Sequence, residues 1–183
     1  MQLKPLPASR PRDEHLLVRV LPRLAAERRD PLAGEVCISI TNPSQSAARV
    51  AGFADVLRLG FHDTDRVGGG FTVMSRQHAR DVLEFAVKHA DAPFTVHCEA
   101  GASRSVAVGL FLAAWLRRPL ALTHDVVGPN PFVLRRLRYT AVLMAVRLRD
   151  ARLLGVALKG PLAREHLYAM LPTDVADANY TRI

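Results

Sequence analysis

Cysteine is scarce in this chain: 2 among 183 residues, Cys37 and Cys98, far apart and without CxxC spacing. That excludes a disulfide framework and a cysteine zinc module, and it fits a reducing compartment. Aromatic residues make up 6% of the chain and do not alternate with basic ones, so nucleic-acid binding is not expected as the main role. Long apolar runs are missing as well. The longest, "SVAVGLFLAAWL" at 105–116, is too short to span a bilayer and ends at Arg117 and Arg118. The opening "MQLKPLPASRPRDEH" has no apolar signal-peptide core, so the expectation is a soluble, cytoplasmic protein with no membrane span. Acidic charge is in deficit, giving a formal charge of +8. The arginines behind it are scattered, which marks a solvated surface and favours phosphorylated substrates electrostatically.

What is present is enough apolar material, 49% of the residues, for one domain with a sizeable core. Residues 1–14, rich in proline and charge, read as a flexible arm; 15–150 as the domain; 151–183 as a helical extension or tail on the same domain. "HLLVRVLPRLAAERRDPLAG" reads as a strand running into a short helix, and "EVCISITNP" as a β-branched strand closed by an Asn42-Pro43 turn. "ADVLRLGF" at 54–61 is another strand, leading into the polar, glycine-rich loop "HDTDRVGGG". Residues 75–90 carry apolar side chains at helical spacing behind a Ser75 cap. "APFTVHC" is a short buried strand, and 104–116 a helix without a polar face. Asn130 as cap and Pro131 in the first turn start a further helix. This alternation predicts an α/β fold: a central, mostly parallel twisted sheet of four to five strands flanked by helices.

In such sheets ligands gather where strands end and helices begin, and "FTVHCEAGASRSVAVGLFLAAW" lies at such a junction. The loop from Cys98 to Arg104 joins a strand's C-terminal end to a helix N-terminus, where unpaired N–H groups and the helix dipole favour an anion. Ala100, Gly101, Ala102 and Ser103 are small enough for the backbone to curl with its amides inward. Arg104 offers a planar bidentate donor for phosphate oxygens. The same field favours the thiolate at a cysteine placed there, making Cys98 a candidate nucleophile. Cys37 reads as core packing, with oxidative pairing to Cys98 as a minor alternative.

His97-Cys98-Glu99-Ala100-Gly101-Ala102-Ser103-Arg104-Ser105 matches HCxxGxxR[ST]. It resembles the signature of the cysteine-dependent protein tyrosine phosphatases, and "GASRS" the dual-specificity branch in particular. The resemblance covers residues 35 to about 145. It implies a protein tyrosine phosphatase-like sheet and a phosphatase that needs no metal or other cofactor. In it Cys98 would attack phosphorus to form a phosphocysteine, and residues 99–104 would bind the phosphate. Arg104 would hold the equatorial oxygens and Ser105 would help the sulfur leave. His97 would fix the loop and tune the thiol, and Asn130 would brace the loop from the next helix.

The resemblance also implies an aspartate that protonates the leaving oxygen, on a mobile loop roughly thirty residues before the cysteine. Asp63 and Asp65 lie 35 and 33 positions before Cys98. Asp63 is preferred, since it follows the strand after one intervening residue and precedes Thr64; Asp65 is the alternative, and Gly68 to Gly70 would supply a hinge. Glu99 and the absence of lysine between Cys98 and Arg104 disfavour inositol phosphates, which leaves phosphotyrosine in proteins or peptides, with or without phosphoserine and phosphothreonine, as the expected substrate. Phosphate, sulfate and vanadate are the expected small ligands. The rivals are a non-catalytic phosphate-binding module, a phosphatase for phosphoinositides or RNA 5′-phosphates, and a rhodanese-like sulfurtransferase. The low-molecular-weight phosphatases and arsenate reductases share the Cx5R spacing, but their loop follows the first strand rather than starting at residue 98.

Overall fold

The computed structural model describes residues 16–66, 68–124 and 126–148. The segments read from sequence as an arm (1–14) and as a C-terminal extension (151–183) lie outside the described residues. Within them the chain runs β1 (Val18–Pro22), α1 (Arg23–Glu27), β2 (Val36–Thr41), β3 (Asp55–Gly60), α2 (Arg76–Lys88), β4 (Phe94–Cys98), α3 (Arg104–Leu116), β5 (Leu120–Leu122) and α4 (Pro131–Leu148). The five strands form one sheet in the order β3-β2-β4-β1-β5, every neighbouring pair parallel. This is the α/β architecture expected from the alternating pattern, with the sheet wholly rather than mostly parallel.

The local chemistry explains each element. Ser75 caps α2 reciprocally: its hydroxyl accepts from the His78 amide at 3.0 Å, and the His78 ring accepts from the Ser75 amide at 3.2 Å. β4 is the middle strand and every one of its residues is buried, as a strand covered on both faces requires. Helices α2, α3 and α4 bury one sheet face in a core of Val18, Val36, Ile38, Ile40, Leu59, Phe94, Val96 and Cys98. The other face is closed by α1 and the loop after β2, around Leu21, Ala26, Cys37, Ala48 and Val50.

That division corrects one expectation. Paired residues in a parallel ladder share a face and successive residues alternate. Cys37 pairs with Thr95, so Cys98, three positions further on, faces the opposite core. An intramolecular disulfide between the two cysteines would have to cross the sheet, and the geometry excludes it. Cys37 is packing, as read from the sequence, and burial pushes its thiol up to about 12.

The strand order sets the position of the site. β4 lies between β2 and β1, and because all strands run one way, the C-terminal ends of β1, β2, β3 and β4 open onto one edge. β4 continues into α3 over one face of the sheet, whereas its neighbours β1 and β2 continue into α1 and the loop after β2 over the other, and such a reversal is where parallel sheets form a crevice. Among the described residues no helix is long and apolar enough to cross a membrane.

Candidate active site

Cys98 is the last residue of β4 and is 1% exposed. Its Sγ lies 3.1 Å from the Oγ of Ser105, which is fully buried in the first turn of α3. Between them the loop turns at Gly101, with φ at +72°. A Cβ at that position would stand 2.6 Å from the Pro22 backbone nitrogen and 2.6 Å from His124 Nε2, so only glycine satisfies both the backbone and the space.

The loop's carbonyls are drawn outward. The Arg23 amide donates to the Glu99 carbonyl at 3.2 Å, the Gly128 amide to Ala102 at 3.3 Å, and the Asn130 and Ala107 amides to Ser103 at 3.2 and 3.0 Å. A peptide whose carbonyl points out presents its amide inward, so these bonds give the loop the character of an anion cup. The start of α3 adds to it. Ser103 makes no side-chain cap, and no acidic residue lies in the first turn. The helix's first amides and its positive end therefore stay available to a ligand.

Arg104 is the first residue of α3 and 3% exposed. One side of its guanidinium is fixed: Nη1 donates to the Phe61 carbonyl at 2.6 Å and to Asn42 Oδ1 at 2.9 Å. Its buried Nε makes no hydrogen bond, and Asp63 Oδ2 stands 3.8 Å away. A buried guanidinium nitrogen without an acceptor carries a desolvation cost that an anion in the cup would relieve.

Asp63 is the aspartate that the fold brings to this loop. Its Oδ1 accepts from Ser103 Oγ at 2.9 Å and from Asn130 Nδ2 at 2.8 Å. Asn130 in turn caps α4, its Oδ1 accepting from the Val133 amide at 3.0 Å. Asp65 is exposed and makes no such contact with the loop. Gly68, Gly69 and Gly70 form a turn in which all three have positive φ, and the Phe71 amide donates back to the Gly68 carbonyl. The excursion is closed at its base, where the His62 amide donates to the Thr72 carbonyl at 2.7 Å and the Thr72 amide to His62 Nδ1 at 3.0 Å.

His97 lies on the sheet face opposite Cys98, fully buried, with neither ring nitrogen hydrogen-bonded. Burial pushes its pKa down to about 4, against an opposing pull from the Cys98 backbone. It is therefore a neutral ring behind the loop rather than a group inside the cup. Glu99, exposed at the start of the loop, pairs with Arg23 at 3.5 Å. Ala100 and Ala102 add no side-chain bulk.

Sequence reasoning singled out Cys98, Arg104, Ser105, Asp63 and Asn130, and the fold draws all five together. It missed Asn42, Arg23, His124 and the Phe61 carbonyl. The only signal for Asn42 was its position at the end of a strand, where it reads as the first residue of an Asn-Pro turn.

No family model matches the chain, and no curated protein matches it. Among solved structures, the crystal structure of human DUSP28 shares 23% identity with it, over 73% of this chain and 95% of that one, at a TM-score of 0.44. A single-residue variant of human DUSP28 shares 24% identity, over 74% of this chain and 94% of that one, at a TM-score of 0.43.

Proposed function

We propose that this protein hydrolyses phosphate monoesters through a phosphocysteine on Cys98, with phosphotyrosine in proteins as the leading substrate and phosphoserine and phosphothreonine as further ones. The observation that carries this reading is Arg104: a buried guanidinium, held on one side by Asn42 and the Phe61 carbonyl, with Nε making no hydrogen bond and only a 3.8 Å ion pair to Asp63, at the start of a helix behind a loop that begins with a cysteine.

In the first step Cys98 Sγ forms a bond to phosphorus as the bond to the ester oxygen breaks, while the loop amides and Arg104 hold the equatorial oxygens. The leaving oxygen takes its proton from Asp63. Oδ1 is occupied by Ser103 and Asn130, and Oδ2, 3.8 Å from Arg104 Nε, is the oxygen that carries the proton once the phosphate has taken that guanidinium. In the second step water attacks phosphorus and gives a proton back to Asp63. The S–P bond breaks, and Ser105 Oγ, 3.1 Å from the sulfur, hydrogen-bonds the departing thiolate.

The test uses purified protein with para-nitrophenyl phosphate and a panel of phosphopeptides, phosphoinositides and RNA 5′-phosphates. Vanadate-sensitive hydrolysis is expected without added metal, lost by about 10³-fold or more in Cys98→Ser because the nucleophile is removed. Asp63→Ala should lower kcat by about 10²-fold and flatten the basic limb of the pH profile, with Asp65→Ala close to wild type. Activity surviving Cys98→Ser would overturn the mechanism. Oxyanion binding without turnover of any ester would show a phosphate-binding module instead.

A further inference from the structure

A negative charge at the mouth of an anion cup is a liability. Glu99 is the first residue after Cys98 and its carboxylate is 45% exposed, so it adds a negative charge to the start of the loop. The residue set against it is Arg23, on the first turn of α1, which the proposed mechanism does not use. Its backbone amide holds the Glu99 carbonyl, and its guanidinium, 16% exposed, reaches four groups. Nε donates to Glu27 Oε1 at 2.9 Å, and Nη1 to Glu99 Oε2 at 3.5 Å. Nη2 reaches Ser46 Oγ at 3.5 Å and the Ala47 carbonyl at 3.4 Å. Glu27 Oε1 also accepts from the Arg49 amide at 3.0 Å. Ser46 and Ala47 belong to the segment that leaves Asn42, the side chain bracing Arg104. One guanidinium thus spans the start of the loop, α1 and the strand-end segment that orients the phosphate-binding arginine.

We infer that Arg23 is a positioning residue for phosphate binding: it neutralises and holds back Glu99, and ties the Glu99 end of the cup to the segment that braces Arg104. The inference rests on the phosphatase reading for its consequence in turnover, but its first consequence, oxyanion affinity, can be read without turnover. With Arg23 in place, Glu99 is half of an ion pair; with it removed, Glu99 is an unopposed charge on the loop that holds the ligand. A pair this exposed contributes modestly, and about a fivefold effect is the size to expect.

The experiment measures tungstate affinity by calorimetry, and KM and kcat for para-nitrophenyl phosphate, in wild type, Arg23→Gln, Arg23→Lys, Glu99→Gln and the Arg23→Gln/Glu99→Gln pair. Arg23→Gln is expected to weaken tungstate binding and raise KM about fivefold with kcat changed less than twofold, and Arg23→Lys to stay within about twofold of wild type. In the Glu99→Gln background the Arg23→Gln loss should shrink to less than twofold, because the carboxylate it offsets on the loop is gone and only Glu27, away on α1, remains. Equal losses in both backgrounds, or equal losses in the Lys and Gln variants, would overturn the inference, since a purely structural brace would be indifferent to the charge at 99. A wild type that binds tungstate but hydrolyses no ester would overturn the phosphatase reading and leave the affinity comparison standing. If Arg23→Gln does not fold, Arg23→Met against Arg23→Met/Glu99→Gln decides it: with no cation at 23, affinity must rise once the unopposed carboxylate is removed, and unchanged affinity overturns the inference.

Discussion

A guanidinium has five N–H donors in a rigid fork, so holding some of them decides where the others point. At Arg104 the held group is Nη1, anchored by Asn42 Oδ1 and the Phe61 carbonyl. Phe61 contributes its backbone carbonyl, which no substitution removes, so Asn42 is the anchor a mutation can remove. Its own backbone is fixed by the turn it starts: its amide donates to Gln45 Oε1 at 3.2 Å, and its carbonyl accepts from the Gln45 amide at 3.0 Å. Asn42→Ala is expected to lower kcat/KM for aryl phosphates by about tenfold, the equivalent of one lost hydrogen bond to a charged group. Asn42→Asp should do worse although it keeps an acceptor, because a carboxylate on Arg104 competes with the phosphate. Steady-state kinetics on both variants check the ordering, and an Asp variant as active as wild type would contradict it. Asn42 shows the limit of reading at this scale. Cys98, Arg104 and Ser105 declare themselves by spacing along the chain, whereas Asn42 meets Arg104 from 62 residues away, and nothing local distinguishes it from an ordinary turn asparagine.

Among the elements, those with an unbroken pattern or a cap were legible: α2 from its Ser75 cap and apolar stripe, β4 from its short buried run, α3 from its lack of a polar face. β5 was not, because three residues following Pro119 are too short to show a period. α3 carries Arg104 and Ser105, so its seating on the sheet sets the depth of the cup. It reaches β1 at Gly109, where an added Cβ would lie 2.5 Å from Val20 Cγ2 and 3.3 Å from Leu120 Cδ1. Alanine is the better helix former by about 1 kcal/mol. Against that, forcing a methyl into a filled core costs about 1–3 kcal/mol, and valine, branched at Cβ, is stiff and cannot swing clear. Packing should win. Gly109→Ala is expected to lower unfolding free energy by about 1 kcal/mol in urea titrations, and a stabilised variant would mean that α3 shifts at little cost. The sequence marked this helix as buried but gave no sign that its one glycine is the contact point.

At the scale of the whole molecule, the site is a product of strand order. Arg23, Asn42 and Asp63 follow β1, β2 and β3 in the chain, Cys98 ends β4, and these strand ends gather around the loop because β4 is inserted between β2 and β1. The alternating pattern fixed an α/β class and placed the signature at a strand-helix junction, but strand order depends on long-range pairing that no local period encodes. Burying a polar strand end at the centre of the sheet has a consequence for stability. His97 is fully buried with unbonded ring nitrogens, and desolvation holds its pKa at about 4, below the 6.5 of an unburied imidazole. Because the folded value is the lower one, this contribution to stability is fully present above about pH 6.5. It is lost as pH falls towards 4, when the unfolded chain takes up a proton that the folded one refuses. A shift of this size corresponds to about 3 kcal/mol. His78, also held down by burial, acts in the same direction. At the same time Glu35 resists acid: burial raises its carboxyl, but bonds from Thr95, the Leu32 amide and Arg29 outweigh that and hold it below the ordinary range. Comparing wild type with His97→Gln cancels both of these and isolates the imidazole. Urea unfolding at pH 7, 5.5 and 4 should show the wild type losing about 2–3 kcal/mol more than the variant across that interval, and parallel losses in the two proteins would mean that His97 is protonated without opening the fold.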